Sequence, residues 1–295
     1  MPRARDIQRP GGPKPLHTAY EDSRGRVLVA DSMSYFDARV APTDVLVCGS
    51  FAGARIADQL GLCWGPRALI GHACGIGKDE AGISGLELCQ RLGVPMAAVE
   101  TMSARISDGV SVHDVGVIGH ANKAAQALGV RVGQPTAEAA QRMLDAPPGT
   151  PLESDVTESP VDTLYEGALG AVLAVWNPLL LLEHGTRPHD VLCIGLHSGK
   201  VMAEWSVAVA PRGVIGNDGG MGKDRSGVAG LDALQRDGIA GASVAAMSAR
   251  IGDALSTYQN GIVSAANDLA LVRGVTLGMP ACQAARLLLE DGRDA

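Results

Sequence analysis

Two tripeptides, Gly77-Lys78-Asp79 and Gly222-Lys223-Asp224, and two tetrapeptides, Ser103-Ala104-Arg105-Ile106 and Ser248-Ala249-Arg250-Ile251, hold the residue types best suited to chemistry. Each tripeptide ends a glycine-rich stretch, His72 to Gly77 or Asn217 to Gly222, where the apolar spacing predicts a helix to begin. Free amide groups and the positive end of a helix dipole at such a place favour an anion or a developing oxyanion. Lys78 and Lys223 would activate a serine or a water, while Asp79 and Asp224 would move a proton or cap the helix. A nucleotide P-loop is a poor match. The first glycine lies one residue too far from Gly-Lys, and Asp stands where a magnesium-binding Ser or Thr belongs.

Ser103 and Ser248 are the candidate nucleophiles, and Arg105 and Arg250 the candidate substrate clamps, because guanidinium donates bidentately to carboxylate or carbonyl groups. Asp108 and Asp253 follow within six residues of those serines. A plainer reading stays open beside this one: an Arg–Asp pair tying down the loop, with the serine capping backbone. Asn122 and Asn267 fall among apolar residues, so each amide either braces a loop or faces the site.

Adding 145 to any number from Pro66 to Gly133 reaches a partner without a gap, and about thirty of those sixty-eight positions are identical. Such self-similarity indicates an internal duplication. Where the copies differ, one half has room to specialise. His72-Ala73-Cys74 faces Asn217-Asp218-Gly219, Ser50-Phe51 faces Leu196-His197, His113 faces Tyr258, and His120 faces Ala265. Cys74 beside His72 has surroundings that lower a thiol pKa, although free Cys is also a common buried residue. Asp218 is a candidate general base. With Gly77, Gly222, Ser50 and His197 they complete the expected binding set.

The elements that must position these residues are α/β. Arg26–Ser32, Val45–Cys48, Ala68–Ile70 and Pro95–Val99 read as strands, and the second half repeats them. Helices are expected from Asp79 to Gln90, from Val115 to Leu128 and from Thr136 to Leu144. Gly49-Ser50-Phe51-Ala52-Gly53 after a buried strand suggests backbone approaching a ligand in the crevice beyond the strands' carboxyl ends. Gly82 with Gly85, and Gly227 with Gly230, suggest a smooth helix face packed against backbone, with the matching helix across a pseudo-twofold axis as the expected neighbour. The predicted fold is therefore two tandem, internally duplicated α/β units related by pseudo-twofold symmetry, with mostly buried strands and flanking helices. Residues 1–20 form a flexible arm bearing Arg3, Arg5 and Arg9. The first repeat covers 21–145, a Pro- and acid-rich linker 146–165, and the second repeat 166–295.

Composition sets the outer limits. At 46% hydrophobic but 3% aromatic, with 38 glycines, the core must be filled by small and aliphatic side chains. A formal charge of −7 argues against sequence-independent nucleic-acid binding, which draws on Lys and Arg to neutralise phosphate. Six cysteines without CxxC spacing point to reduced thiols, and no signal peptide or membrane span is visible. A cytoplasmic location, a small-molecule substrate, no resident cofactor or metal, no nucleic-acid or membrane partner, and a homo-oligomer are expected. Glu183-His184 and His189-Asp190 lack metal-motif spacing and read as turn or surface residues.

Tandem α/β repeats with a lysine and a serine in each resemble, in architecture alone, the Ser–Lys ring-opening amidohydrolases of the barbiturase and cyanuric-acid-hydrolase type. That family has three repeats, and its serine-bearing glycine motif is missing here. The expected activity is metal-independent hydrolysis of a small polar amide or imide, possibly cyclic, with the site near the repeat interface. Two alternatives stand beside it: a lyase or isomerase acting next to a carbonyl, and a non-catalytic small-anion-binding or scaffold protein.

Overall fold

The computed structural model describes residues 12–153, 161–185 and 187–290, with the side chains of Glu183 and His184 left out. The expected arm residues Arg3, Arg5 and Arg9 and linker positions 154–160 therefore lie outside the described residues. The chain divides into two compact units. Among the described residues, unit 1 comprises 12–76 and 80–153 and takes in Gly222–Asp224; unit 2 takes in Gly77–Asp79 with 161–185, 187–221 and 225–290. Each unit thus includes the Gly-Lys-Asp tripeptide of the other half of the sequence.

Unit 1 is built on β1 (His17–Asp22), β2 (Gly25–Ala30), β3 (Val45–Phe51), β4 (Ala68–His72), β5 (Met96–Val99) and β6 (Ile118–Ala121), ordered in space as in sequence. Strands β2 to β5 run parallel, and β1 and β6 close the two edges antiparallel. Unit 2 repeats this order with β7 (Asp162–Gly167), β8 (Gly170–Val175), β9 (Val191–His197), β10 (Gly213–Asn217), β11 (Ala240–Val244) and β12 (Val263–Ala266). Register repeats as well: Val45 pairs with Ala68 and Val47 with Ile70, as Val191 pairs with Gly213 and Cys193 with Ile215.

Strand alternation divides the core into two faces. In unit 1 Val27, Val29, Val45, Val47, Ala68, Ile70, Ala97 and Val99 meet Val112 and the helix Thr136–Met143 through Ala139, Ala140 and Met143. Cys48, Leu69 and Met96 turn to the other side, near Met33, Gly61 and Gly85 of the crossover segments. Both faces are covered, so the central strands read as continuous apolar runs. Unit 2 packs alike, with Ala281, Ala284, Ala285 and Leu288 of the helix Ala281–Glu290 on the equivalent face.

The structure departs from the sequence expectation in several places. The predicted helix 115–128 is a strand and a short helix, because the Asn122 side chain accepts the Ala125 N–H at 2.9 Å and so starts the helix Lys123–Ala127. Upstream of that cap, Ile118–Ala121 completes the sheet as β6. β1 begins inside the expected arm and β7 inside the expected linker, each held by main-chain pairing to a neighbour that composition does not reveal. Finally, an order that never reverses has no switch point, so the crevice expected beyond the parallel strands does not form by that route.

Candidate functional site

The backbone of the glycine-rich stretch is the most unusual feature of the chain. Cys74, Gly75, Ile76 and Gly77 have φ of 45, 75, 59 and 77°, and Asp79 and Glu80 both have 55°. At +145 the pattern recurs: Gly219, Gly220, Met221 and Gly222 have φ of 58, 67, 70 and 66°, and Asp224 and Arg225 have 55 and 57°. A non-glycine residue in this left-handed region costs roughly 1–2 kcal/mol, and a β-branched one such as Ile76 is a clear outlier. Backbone held in that state in both copies implies surroundings that over-determine it.

Those surroundings are visible in both units. His72, fully buried at the end of β4, accepts the Cys74 N–H on Nδ1 at 3.0 Å and pairs with the Ala104 carbonyl through Nε2 at 3.0 Å. Since Nδ1 accepts, the proton sits on Nε2 and the ring is neutral. Burial pushes its pKa down to about 4, against the partial support of its bonds to backbone. At the same place in unit 2, Asn217 accepts the Gly219 N–H at 2.9 Å and donates to the Ala249 carbonyl at 3.1 Å. His72 and Asn217 make the same two bonds.

A second difference resolves in the same way. Gly75 N–H is taken by Thr101 Oγ1 at 2.8 Å, and the matching Gly220 N–H by Asp218 Oδ1 at 2.8 Å. Thr101 corresponds to Ala246 and Asp218 to Ala73, so one acceptor has moved from a neighbouring loop into the turn itself. Asp218 also receives Ala246 N–H at 2.9 Å and Ser264 Oγ–H at 2.8 Å, which fills its buried carboxylate. Neither Asp218 nor His72 faces outward as a base. Cys74 is likewise fully buried.

The expected oxyanion amides are already used. Ile76 N–H bonds to Ala73 O and Lys78 N–H to Ala246 O; in the other turn Met221 N–H bonds to Asp218 O and Lys223 N–H to Ala104 O. The helix beyond begins only at Gly85, after a 3-10 segment Lys78–Ile83 in which Asp79 is left-handed, so Asp79 is not a helix cap and no dipole points at Lys78. The glycines serve close packing: a Cβ on Gly82 would overlap the Ala73 carbonyl oxygen, and one on Gly85 would sit 2.6 Å from that of Ala52. The neighbour is backbone of the same unit, not a matching helix. Gly49 is similar, since its carbonyl accepts Ser107 N–H at 2.9 Å and the close approach there is to protein, not ligand.

Ser103 Oγ donates to the Glu100 carbonyl at 2.7 Å and accepts the Val117 N–H at 3.0 Å; Ser248 Oγ does the same with Ala245 at 2.7 Å and Ile262 at 2.9 Å. Both lock a turn to the strand behind it. Within unit 1 Arg105 grips Asp224 through Nε at 2.8 Å and Nη2 at 2.7 Å, with Asp108 at 3.9 Å. Within unit 2 Arg250 reaches Asp79 at 3.0 Å. The Arg–Asp pair expected within one loop is reduced to the 3.9 Å contact of Arg105 with Asp108, and the main partner of each arginine comes instead from a Gly-Lys-Asp tripeptide. These pairs are about half exposed, where an ion pair is worth about 0–1 kcal/mol.

Asp108 and Asp253 cap the helices Gly109–Asp114 and Ala254–Asn260 by accepting Ser111 and Ser256 N–H at 2.8 and 2.9 Å. Asn122 and Asn267 brace: besides capping, each accepts a strand N–H, from Met96 at 3.1 Å or Gly241 at 3.0 Å, and donates to the carbonyl of Val94 or Ile239. Ser50 is buried and accepts Met33 N–H at 2.8 Å, and His197 accepts Gly199 N–H at 3.2 Å. Ser111 and Ser256, overlooked among the candidates, take the Arg105 and Arg250 N–H at 3.0 Å each; their identity across the offset was the available signal. Thr101 had no such signal, because its counterpart is alanine.

No family model, curated protein or solved structure matches this chain. What the site can do must be argued from its own groups. Among the described residues no cluster of three His, Cys, Asp or Glu side chains is placed to hold a metal, and no helix is long and apolar enough to cross a membrane. Two candidate groups remain uncommitted: the ammonium groups of Lys78 and Lys223, half-buried and without a hydrogen bond or ion pair among the described residues.

Proposed function

We propose that the protein binds small anions, one at Lys78 and one at Lys223, and that the duplicated left-handed turns are rigid mounts for those two ammonium groups. One observation carries this reading. Of the polar groups that the sequence put forward for chemistry, the serines, arginines, aspartates and asparagines are engaged by protein partners, and among the described residues the two lysines have none. A strained backbone kept in both copies around an unpaired cation is better accounted for by ligand binding than by folding, which gains nothing from the ammonium. On this reading the two units descend from a duplicated ancestor, and each copy kept one binding lysine.

Hydrolysis of a cyclic amide would need an available nucleophile and open oxyanion donors. Ser103 and Ser248 are held in turns, and the amides of residues 75, 76, 78, 220, 221 and 223 are bonded, so the structure favours binding over turnover. Titration calorimetry with inorganic phosphate, sulfate and small dicarboxylates tests this. Lys78→Ala and Lys223→Ala should each remove one site, lowering affinity there at least tenfold, without lowering the melting temperature. Undiminished binding in the double variant would overturn the proposal. A gain of water on any compound of a cyclic imide, ureide and amide panel would return the protein to the hydrolases.

A further inference from the structure

Unit 1 contains a cavity of about 220 Å³ away from the lysine turns, lined by Arg67, Leu92, Gly93, Val94, Pro95, residues 147–150 and Leu152. One wall is the first part of the expected linker. That segment is docked onto the unit: Gly149 N–H bonds to Pro42 O at 2.8 Å and Leu152 N–H to Leu62 O at 3.0 Å, and Gly149 lies so close to Gly65 and Pro66 that a side chain would collide with their carbonyls. The cavity is therefore a built feature of the unit. Its chemistry is uneven, with aliphatic and proline walls and a single cation.

That cation is unusually placed. Arg67 is 6% exposed, donates to the carbonyls of Leu144 and Arg24, and leaves Nε without a partner. It touches no carboxylate among the described residues. Asp44 is held by Arg26 at 2.7 Å, and Asp22 and Asp145 by Arg24 at 2.6 and 2.7 Å. Burying this guanidinium is costly, and the nearby carboxylates of Asp44, Asp145 and Asp22 offset the cost only in part, so an anion in the adjoining cavity would relieve it further. Arg212, at the matching position of unit 2, instead lies with Nε 3.2 Å from the Leu288 carbonyl.

We propose that this cavity is a binding site for a small carboxylate with a compact apolar body, its charge set against Arg67 and its body against Leu92, Val94, Leu152 and the prolines. The volume is below that of drug-sized sites, which suits a metabolite-sized ligand. The site is independent of the lysine reading, and the test keeps them apart by using the Lys78→Ala/Lys223→Ala protein throughout. Benzoate, its neutral analogue benzamide and inorganic phosphate are titrated by calorimetry. Benzoate should bind, with benzamide and phosphate at least tenfold weaker. Arg67→Met should abolish benzoate binding. Should that variant fail to fold, Thr150→Trp, placed at an exposed lining position, fills the cavity while leaving Arg67 in the sequence and should weaken benzoate at least tenfold. Absence of benzoate binding, equal binding of benzamide, or full affinity in Thr150→Trp would each overturn the proposal.

Discussion

At Gly75 the amide of the left-handed turn is held from outside by Thr101, whereas at Gly220 it is held from within by Asp218. At the start of the same turns an imidazole and a carboxamide make interchangeable bonds. The φ angles nonetheless agree closely from residue 75 to 80 and from 220 to 225. The backbone conformation is what the two turns share, and different side chains enforce it in each. Differences between the halves at 72–74 and 217–219 are thus alternative ways to hold one turn.

Asp218→Ala should break the comparison most severely. It strips the acceptor from Gly220, Ala246 and Ser264 at once, and should cost about 3 kcal/mol or more, measured by urea unfolding. Thr101→Val, which deprives only Gly75, should cost about 1–2 kcal/mol. Equal losses in the two variants would show that the two props are not alternatives of this kind.

His72→Asn sharpens the comparison through pH. In the folded protein His72 titrates near 4, below its ordinary 6.5, so the unfolded chain binds more protons between those values. Stability should therefore fall as pH drops from 6.5 towards 4, by up to about 3 kcal/mol from this group. Asn217 in the sister turn has no such term. The His72→Asn protein should match the wild type near pH 7 and lose this part of the acid sensitivity; an unchanged pH profile would mean that the ring is not buried as neutral imidazole. The smallest effect concerns strain. Glu80→Gly and Arg225→Gly, at exposed positions with φ of 55 and 57°, should each stabilise by about 1 kcal/mol, seen as a raised melting temperature. Destabilisation in either would show that the side chain contributes more to that turn than its left-handed backbone costs.

Much of this was legible in the chain. The offset of 145 located both turns, buried apolar runs marked β3, β4 and β5, and the spacing of Gly82 and Gly85 pointed to close backbone packing. The setting of Asn122 and Asn267 allowed two roles, bracing a loop or facing the site, and the chain alone did not decide between them. The edge strands β1 and β7 were not legible, since they are held by main-chain hydrogen bonds that leave little mark on side-chain pattern. The expected helix 115–128 failed because a run of apolar and small residues does not reveal where a cap interrupts it.

By itself the sequence determined which positions the two halves share, since identity at a fixed offset is a property of the chain alone, and which segments have to be buried. Whether each shared polar residue is spent or available was decided only by tertiary structure. Hydrogen bonds such as His72 to Ala104, Thr101 to Gly75 and Arg105 to Asp224 join residues 32, 26 and 119 positions apart. Donor and acceptor must meet within about 3 Å, and no local pattern encodes such a meeting.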